Sequence, residues 1–103
     1  MSILAADHEV FAVEVSFSED AMTISLDDGR RISVPLAWYP RLLAGTPEER
    51  IKFELIGDGE GIHWPDLDED ISVGGVMAGR RSAESASSLA RWISRRQDAS
   101  TGG

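Results

Sequence analysis

The sequence predicts an α+β fold, with an N-terminal three-stranded antiparallel meander, short helices, a second β-hairpin and a C-terminal helix. Three observations predict it. Apolar residues alternate with polar ones in three successive stretches, turn-forming residues separate those stretches at hairpin spacing, and three-four apolar spacing begins only beyond Ser82.

The alternating sets are Phe11, Val13, Val15 and Phe17, then Met22, Ile24 and Leu26, then Ile32, Val34 and Leu36. A period of two places each set on one face of a half-buried strand. Ser18-Glu19-Asp20 is a short polar connector, and Asp28-Gly29 supplies the positive-φ residues of a tight hairpin. Pro35 has no N–H for a ladder, so the third strand lies at an edge or ends there. Ala37 to Gly45 reads as a short helix with Pro40 in its first turn. Thr46-Pro47-Glu48-Glu49 is a capping box opening a helix of one or two turns. Ile51, Phe53 and Leu55 alternate into a fourth strand, and the glycines of residues 57–61 turn the chain into a fifth, Ile62-His63-Trp64, stopped by Pro65. Asp66 to Asp70 reads as an acidic loop, and Ile71 to Gly79 as a short helix. From Ser82, read as an N-cap, a helix carries Ala86, Leu89, Ala90 and Ile93 on one stripe with Trp92 beside it. Its late arginines complement the helix dipole, and residues 98–103 read as a loose tail. Residues 1–80 thus form one α+β domain, followed at 81–103 by the helix and tail.

Composition bounds the function. A chain of 103 residues buries roughly 65% of its surface on folding, enough for one core and not two. No apolar run spans a bilayer, the first six residues are too short for a signal-peptide core, and there is no cysteine. The expectation is a cytoplasmic protein. Residues 1–79 carry 16 acids against 5 bases, whereas residues 80–103 are net positive. An acidic body repels phosphate backbones and steers toward a basic protein, so direct nucleic-acid binding is not expected.

The motifs exclude more than they establish. Asp66-x-Asp68-x-Asp70 fails as an EF-hand, because Ile71 and Met77 stand where glycine and the bidentate glutamate belong. Gly57-x-Gly59 fails as a dinucleotide fingerprint, because Ile62 replaces the third glycine and a strand follows. Of the two imidazoles, His8 and His63, neither precedes a glutamate-bearing metal motif, no nucleophile motif accompanies them, and His63, upstream of Asp66, Asp68 and Asp70, is the one place where acid–base chemistry could assemble. Trp38, Tyr39 and Trp64 are large aromatics with polar handles, suited either to a core or to a binding surface.

Asp28-Gly29-Arg30, Val34-Pro35-Leu36, Trp38-Tyr39-Pro40-Arg41-Leu42, Glu49-Arg50, Gly59-x-Gly61-Ile62-His63-Trp64-Pro65 and Leu67-Asp68-Glu69-Asp70-Ile71 occur in one order. This string resembles the small bacterial family called domain of unknown function 2442, over about residues 10–80. The resemblance implies a small α+β fold with an N-terminal antiparallel sheet and brings no catalytic residue with it. Members resemble partners in toxin–antitoxin-like gene pairs, and some add a helix-turn-helix. Residues 80–103 have room for one helix only, which argues against operator recognition.

The reading that follows is a non-enzymatic protein-interaction module, an antitoxin-like or regulatory subunit binding a basic protein. Its contact residues are Trp38, Tyr39, Arg41, His63, Trp64, Asp66, Asp68 and Asp70, with no catalytic residue, metal ligand or cofactor assigned. The alternative is a small-ligand or metal-binding protein, an enzyme included, centred on His63 and the Asp66–Asp70 loop. The C-terminal helix is too short to stand alone in water, so it is expected to dock on its own body or on a second copy, as a homodimer.

Overall fold

The computed structural model describes residues 10–102; the leader reading on Met1–Ala6, His8 and the terminal Gly103 lie outside the described residues. Three strands, β1 (Ala12–Phe17), β2 (Ala21–Leu26) and β3 (Arg31–Pro35), form an antiparallel sheet in that order. Val15, Met22, Ile24, Leu26 and Val34 point inward and are buried. On the outer face the Thr23 and Ser33 hydroxyls lie 2.7 Å apart. Gly29 turns β2 into β3 at φ +93°, a conformation that a side chain would strain. Pro35 ends β3 at the edge of the sheet, where its missing N–H leaves no ladder bond unmade.

The alternation expected for β1 is broken by a bulge. Pairing runs Ala12 with Leu26 and then Glu14 with Ser25, so Val13 is the extra residue. Ala12 turns into the core, and Val13 is 56% exposed instead of facing inward with Val15.

A 3-10 turn (Leu36–Trp38) leads into α1 (Pro40–Ala44) and α2 (Pro47–Ile51). The capping box forms: Thr46 Oγ1 accepts from the Glu49 N–H at 3.1 Å, and Glu49 Oε1 accepts from the Thr46 N–H at 2.9 Å. Arg50 then reaches back to the end of α1 and donates to the carbonyls of Leu42, Leu43 and Gly45. Those are the orphan acceptors of a helix terminus.

The second sheet contains β4 (Glu54–Ile56), β5 (Gly61–Trp64) and β6 (Glu69–Ser72), antiparallel and in that order. It has three strands where the sequence predicted a hairpin. The second half of the expected acidic loop is the additional strand, because Glu69 and Asp70 pair with Trp64 and His63. Helix α3 (Val73–Met77) follows, capped by the Ser72 hydroxyl, which accepts from the Gly75 N–H at 2.8 Å.

The two sheets share one core. Trp64 is fully buried, 6.4 Å ring to ring from Phe17 of β1 and 6.4 Å from Phe53 beside β4. The Ala12 N–H donates to the Gly59 carbonyl at 2.8 Å, tying β1 to the turn between β4 and β5. Gly59 has φ +108°, and a Cβ there would sit 2.3 Å from the Ala12 oxygen.

The last helix, α4, spans Ala86–Gly102. Its cap is Ser85 rather than Ser82: the Ser85 hydroxyl accepts from the Ser88 N–H at 3.1 Å and the Ser85 carbonyl from the Leu89 N–H at 3.0 Å. Ser82 is used differently, its N–H donating to the Trp38 carbonyl at 2.9 Å. Helix also continues through the expected loose tail as far as Gly102. The buried stripe is rotated toward Trp92, which is 6% exposed, with Leu89 and Ile93 partly buried and Ala86 and Ala90 exposed. The helix docks on its own body, against α1.

Candidate functional site: an acidic turn held from behind

Between β5 and β6 the chain makes a tight turn through Pro65, Asp66, Leu67 and Asp68. Alternate residues take opposite roles. Leu67 is fully buried and anchors the turn in the core, while Asp66, Asp68 and Asp70 are exposed. Asp68 sits at φ +51°, a region that Asp tolerates better than most residues, and its side chain is 84% exposed.

Two arginines fix this turn from behind. Arg41, on α1, donates to the Asp68 carbonyl at 3.1 Å and approaches its carboxylate at 3.4 Å. Arg96, on α4, donates to the Asp66 carbonyl at 3.2 Å. Lys52 lies 3.7 Å from the Asp66 carboxylate. The backbone is therefore held by guanidinium groups while the carboxylates remain turned outward.

The same arginines dock the C-terminal helix. Arg41 forks onto Glu84 with contacts of 2.8 and 2.5 Å, in a pair that is mostly covered, and Ser88 donates to Glu84 at 2.8 Å. The Trp92 ring lies 4.8 Å from the Arg41 guanidinium and 4.7 Å from that of Arg96. Arg96 also donates to Glu49 at 2.8 Å. Arg41 beside Glu84 holds that carboxyl below the ordinary carboxylate range, and Arg96 does the same for Glu49.

The sequence-predicted residues divide into three groups. Trp64 and Tyr39 are core residues: the Trp64 Nε1–H donates to the Arg50 carbonyl at 2.8 Å, and the Tyr39 hydroxyl to the Arg80 carbonyl at 2.9 Å. Burial pushes the Tyr39 phenol up. Arg41, mostly covered, organises the turn without being displayed. Trp38, His63, Asp66, Asp68 and Asp70 retain surface. Trp38 is partly buried under the Arg81 guanidinium, 4.8 Å from its ring.

His63 faces outward from β5, paired across strands with Glu54 on one side and Asp70 on the other. Its Nδ1 lies 2.5 Å from Asp70 Oδ1, and since a carboxylate only accepts, Nδ1 is the donor. No group of three His, Asp or Glu side chains among the described residues is placed to hold a metal ion. The carboxylates of the turn are spread apart, not converged on one point.

Sequence reasoning missed Glu84, Ser88, Glu49 and Glu69. The first two, with Trp92 and Arg96, recur every fourth residue, a spacing visible in the sequence. Glu69 lines a cavity of about 290 Å³ with Tyr39, Val76 and Arg80, and burial pushes its carboxyl up against the opposing influence of Arg41.

The alternating strands, the Pro40-bearing α1, the capping box and the acidic turn all lie within one matched stretch: a family described as a protein of unknown function, DUF2442, matches residues 12–82. The chain belongs to this family. The fold is shared with a crystal structure of a protein of unknown function from Rhodospirillum rubrum, at 25% identity and a TM-score of 0.66. That match covers 75% of this chain and 95% of the other. It is also shared with the solution structure of an uncharacterised protein of Chromobacterium violaceum, at 24% identity and a TM-score of 0.63, over 87% of this chain and 82% of that one. No curated protein matches the chain. The DUF2442 unit contains Arg41, Glu49 and the acidic turn, while α4 lies beyond its matched end. No helix among the described residues is long and apolar enough to cross a membrane.

Proposed function

We propose that this chain is a non-enzymatic binding subunit, of the regulatory or antitoxin type, that engages a basic protein through its acidic turn. The observation that carries this reading is the mounting of that turn. Asp66, Asp68 and Asp70 are displayed at alternate positions on a backbone that Leu67 and two guanidinium groups hold in place. A preorganised segment loses little conformational entropy on binding, so more of the charge attraction appears as affinity. Arg50 and Arg96 are drawn onto carbonyls and Glu49 and away from the displayed carboxylates, and the contacts of Lys52 with Asp66 and of Arg41 with Asp68, at 3.7 and 3.4 Å, are long enough for a cationic partner to replace. His63, held by Asp70, and the exposed rim of Trp38 lie in the same matched unit and complete the candidate contact set.

The test is to purify the tagged full chain from its native cells at low salt, identify the bound protein, and measure its affinity for the wild type and for the D66N/D68N/D70N variant. The expected partner is basic, its affinity falls by about tenfold or more in the variant, and the salt dependence of binding flattens. A partner whose binding is indifferent to all three substitutions overturns the proposal.

A further inference from the structure

The groups that hold α4 lie on one line. Ser88, Trp92 and Arg96 follow at intervals of four on α4, so at 3.6 residues per turn they stay on one side, and Glu84, one residue before the Ser85 cap, accepts from the Ser88 hydroxyl at 2.8 Å. Their partners come from inside the family-matched unit: the Arg41 guanidinium from α1, the Glu49 carboxylate from α2 and the Asp66 carbonyl from the turn.

We propose that the α1–α2 face is a helix-docking site of this domain, that α4 fills it in cis, and that a partner helix of the same chemistry displaces α4. That segment carries an acidic residue just before its helix, an aromatic residue eight positions later and an arginine four positions after that. The geometry sets these requirements. Arg41 presents its fork to a carboxylate, which two parallel bonds select over a neutral group. The same Arg41 guanidinium lies 4.8 Å from the Trp92 ring and favours a π-face there, while Arg96, from α4 itself, stands 4.7 Å from that ring. Glu49, already bonded to the Thr46 N–H at the α2 cap, is aimed at a cation one helical turn further on.

The contact is also of an exchangeable kind. It joins ion pairs and cation–π stacking to a thin apolar stripe, in which Trp92 is the one buried residue among those described on α4 and Leu89 and Ile93 are partly buried. Polar, ion-paired contacts are typical of surfaces that separate and re-form. The connector is pinned at the Arg80 carbonyl by Tyr39 and at the Ser82 N–H by Trp38, so α4 can leave by bending between Ser82 and Ala86 with both sheets undisturbed.

The experiment uses the full chain and a labelled synthetic peptide of residues 83–98. In the wild type the peptide competes with a tethered copy of itself. In the full-length E84Q/W92A variant the tether no longer docks, and the peptide is expected to bind at least about tenfold more tightly than to the wild type. A peptide carrying Trp92→Ala is expected not to bind either protein. A variant with both sheets intact that binds the peptide no better than the wild type does overturns the proposal. Should the variant fail to fold, the wild type is titrated with peptide to millimolar concentration while amide exchange of α4 is followed. Loss of α4 protection as peptide is added supports displacement; protection unchanged throughout overturns it.

Discussion

The two sheets use one motif to different ends. β1–β3 are strands of five or six residues whose inward side chains are nearly all buried and whose outward ones are mostly polar, among them Glu14, Ser16, Thr23, Arg31 and Ser33. β4–β6 are only three or four residues long, yet they place Trp64, Ile62 and Ile71 in the core and turn Glu54, His63 and Asp70 outward. The first sheet is a scaffold. The second is minimal in pairing and rich in displayed charge, and it is bound to the first chiefly through Trp64 and the Gly59–Ala12 contact. Short strands leave ladder bonds few, so the second sheet keeps its shape by resting on the first.

That dependence sets the largest expected effect. Trp64→Ala removes the ring packed near both Phe17 and Phe53 and leaves the Arg50 carbonyl without its donor. A loss of about 3–5 kcal/mol is expected in urea melts, a large part of the stability of a domain this size. A loss below about 1 kcal/mol would show that the second sheet does not lean on the first through this residue. Gly59→Ala attacks the other tie. Its Cβ would lie 2.3 Å from the Ala12 oxygen, well inside van der Waals contact, at a φ that strains any side chain, so at least about 1–3 kcal/mol is expected. The loss should be accompanied by faster amide exchange at Ala12, while the β2–β3 pairing exchanges as before.

Sequence legibility follows the same division. The meander could be read because long strands repeat their period several times, and the capping box because it is closed within four residues. The bulge could not, since Ala12, Val13 and Glu14 fit an unbroken alternation equally well until the pairing with β2 is known. β6 was hidden because Glu69-Asp70-Ile71-Ser72 shows one apolar residue and two carboxylates, the composition of a loop. Its strand character comes from pairing with β5. The helix start was displaced because Glu84 belongs to a fork with Arg41, forty-three residues away, which no local capping rule contains. The aromatics were recognised, but whether each is core or surface depends on acceptors such as the Arg50 and Arg80 carbonyls, which carry no side-chain signature.

Acid separates the regions by sign. Glu84 and Glu49 are held below the ordinary glutamate value of about 4.3, so their contribution to α4 docking is complete above that pH and is lost as pH falls through their lower folded values. Glu69, on β6, is raised by burial, so it opposes folding when ionised and this penalty is relieved as pH falls through its higher folded value. On acidification, the second sheet should therefore tighten slightly before α4 loosens. Amide exchange of β6 and α4 followed from about pH 7 downward checks the order. Glu69→Gln should abolish the early gain, and Glu84→Gln should leave α4 loosened by about 1–2 kcal/mol at neutral pH, with a shallower acid response. Simultaneous loss of both elements would refute the separation.

The smallest expected stability effect tests whether display and support are distinct within the turn itself. Asp68 has its side chain 84% exposed and its backbone at φ +51°, so Asp68→Gly removes a carboxylate while relieving the backbone. The ion pair it forfeits with Arg41 is 3.4 Å long and open to water, where such pairs are worth about 0–1 kcal/mol. Arg41 keeps its bond to the carbonyl of residue 68, which glycine supplies equally well. Thermal unfolding should thus move by no more than about 1 kcal/mol in either direction, while affinity for the basic partner proposed above falls. A variant that binds normally would take Asp68 out of the contact surface. One that unfolds readily would show that its carboxylate supports the turn, so that the division between the charges that hold this segment and the charges it presents would not apply at its tip.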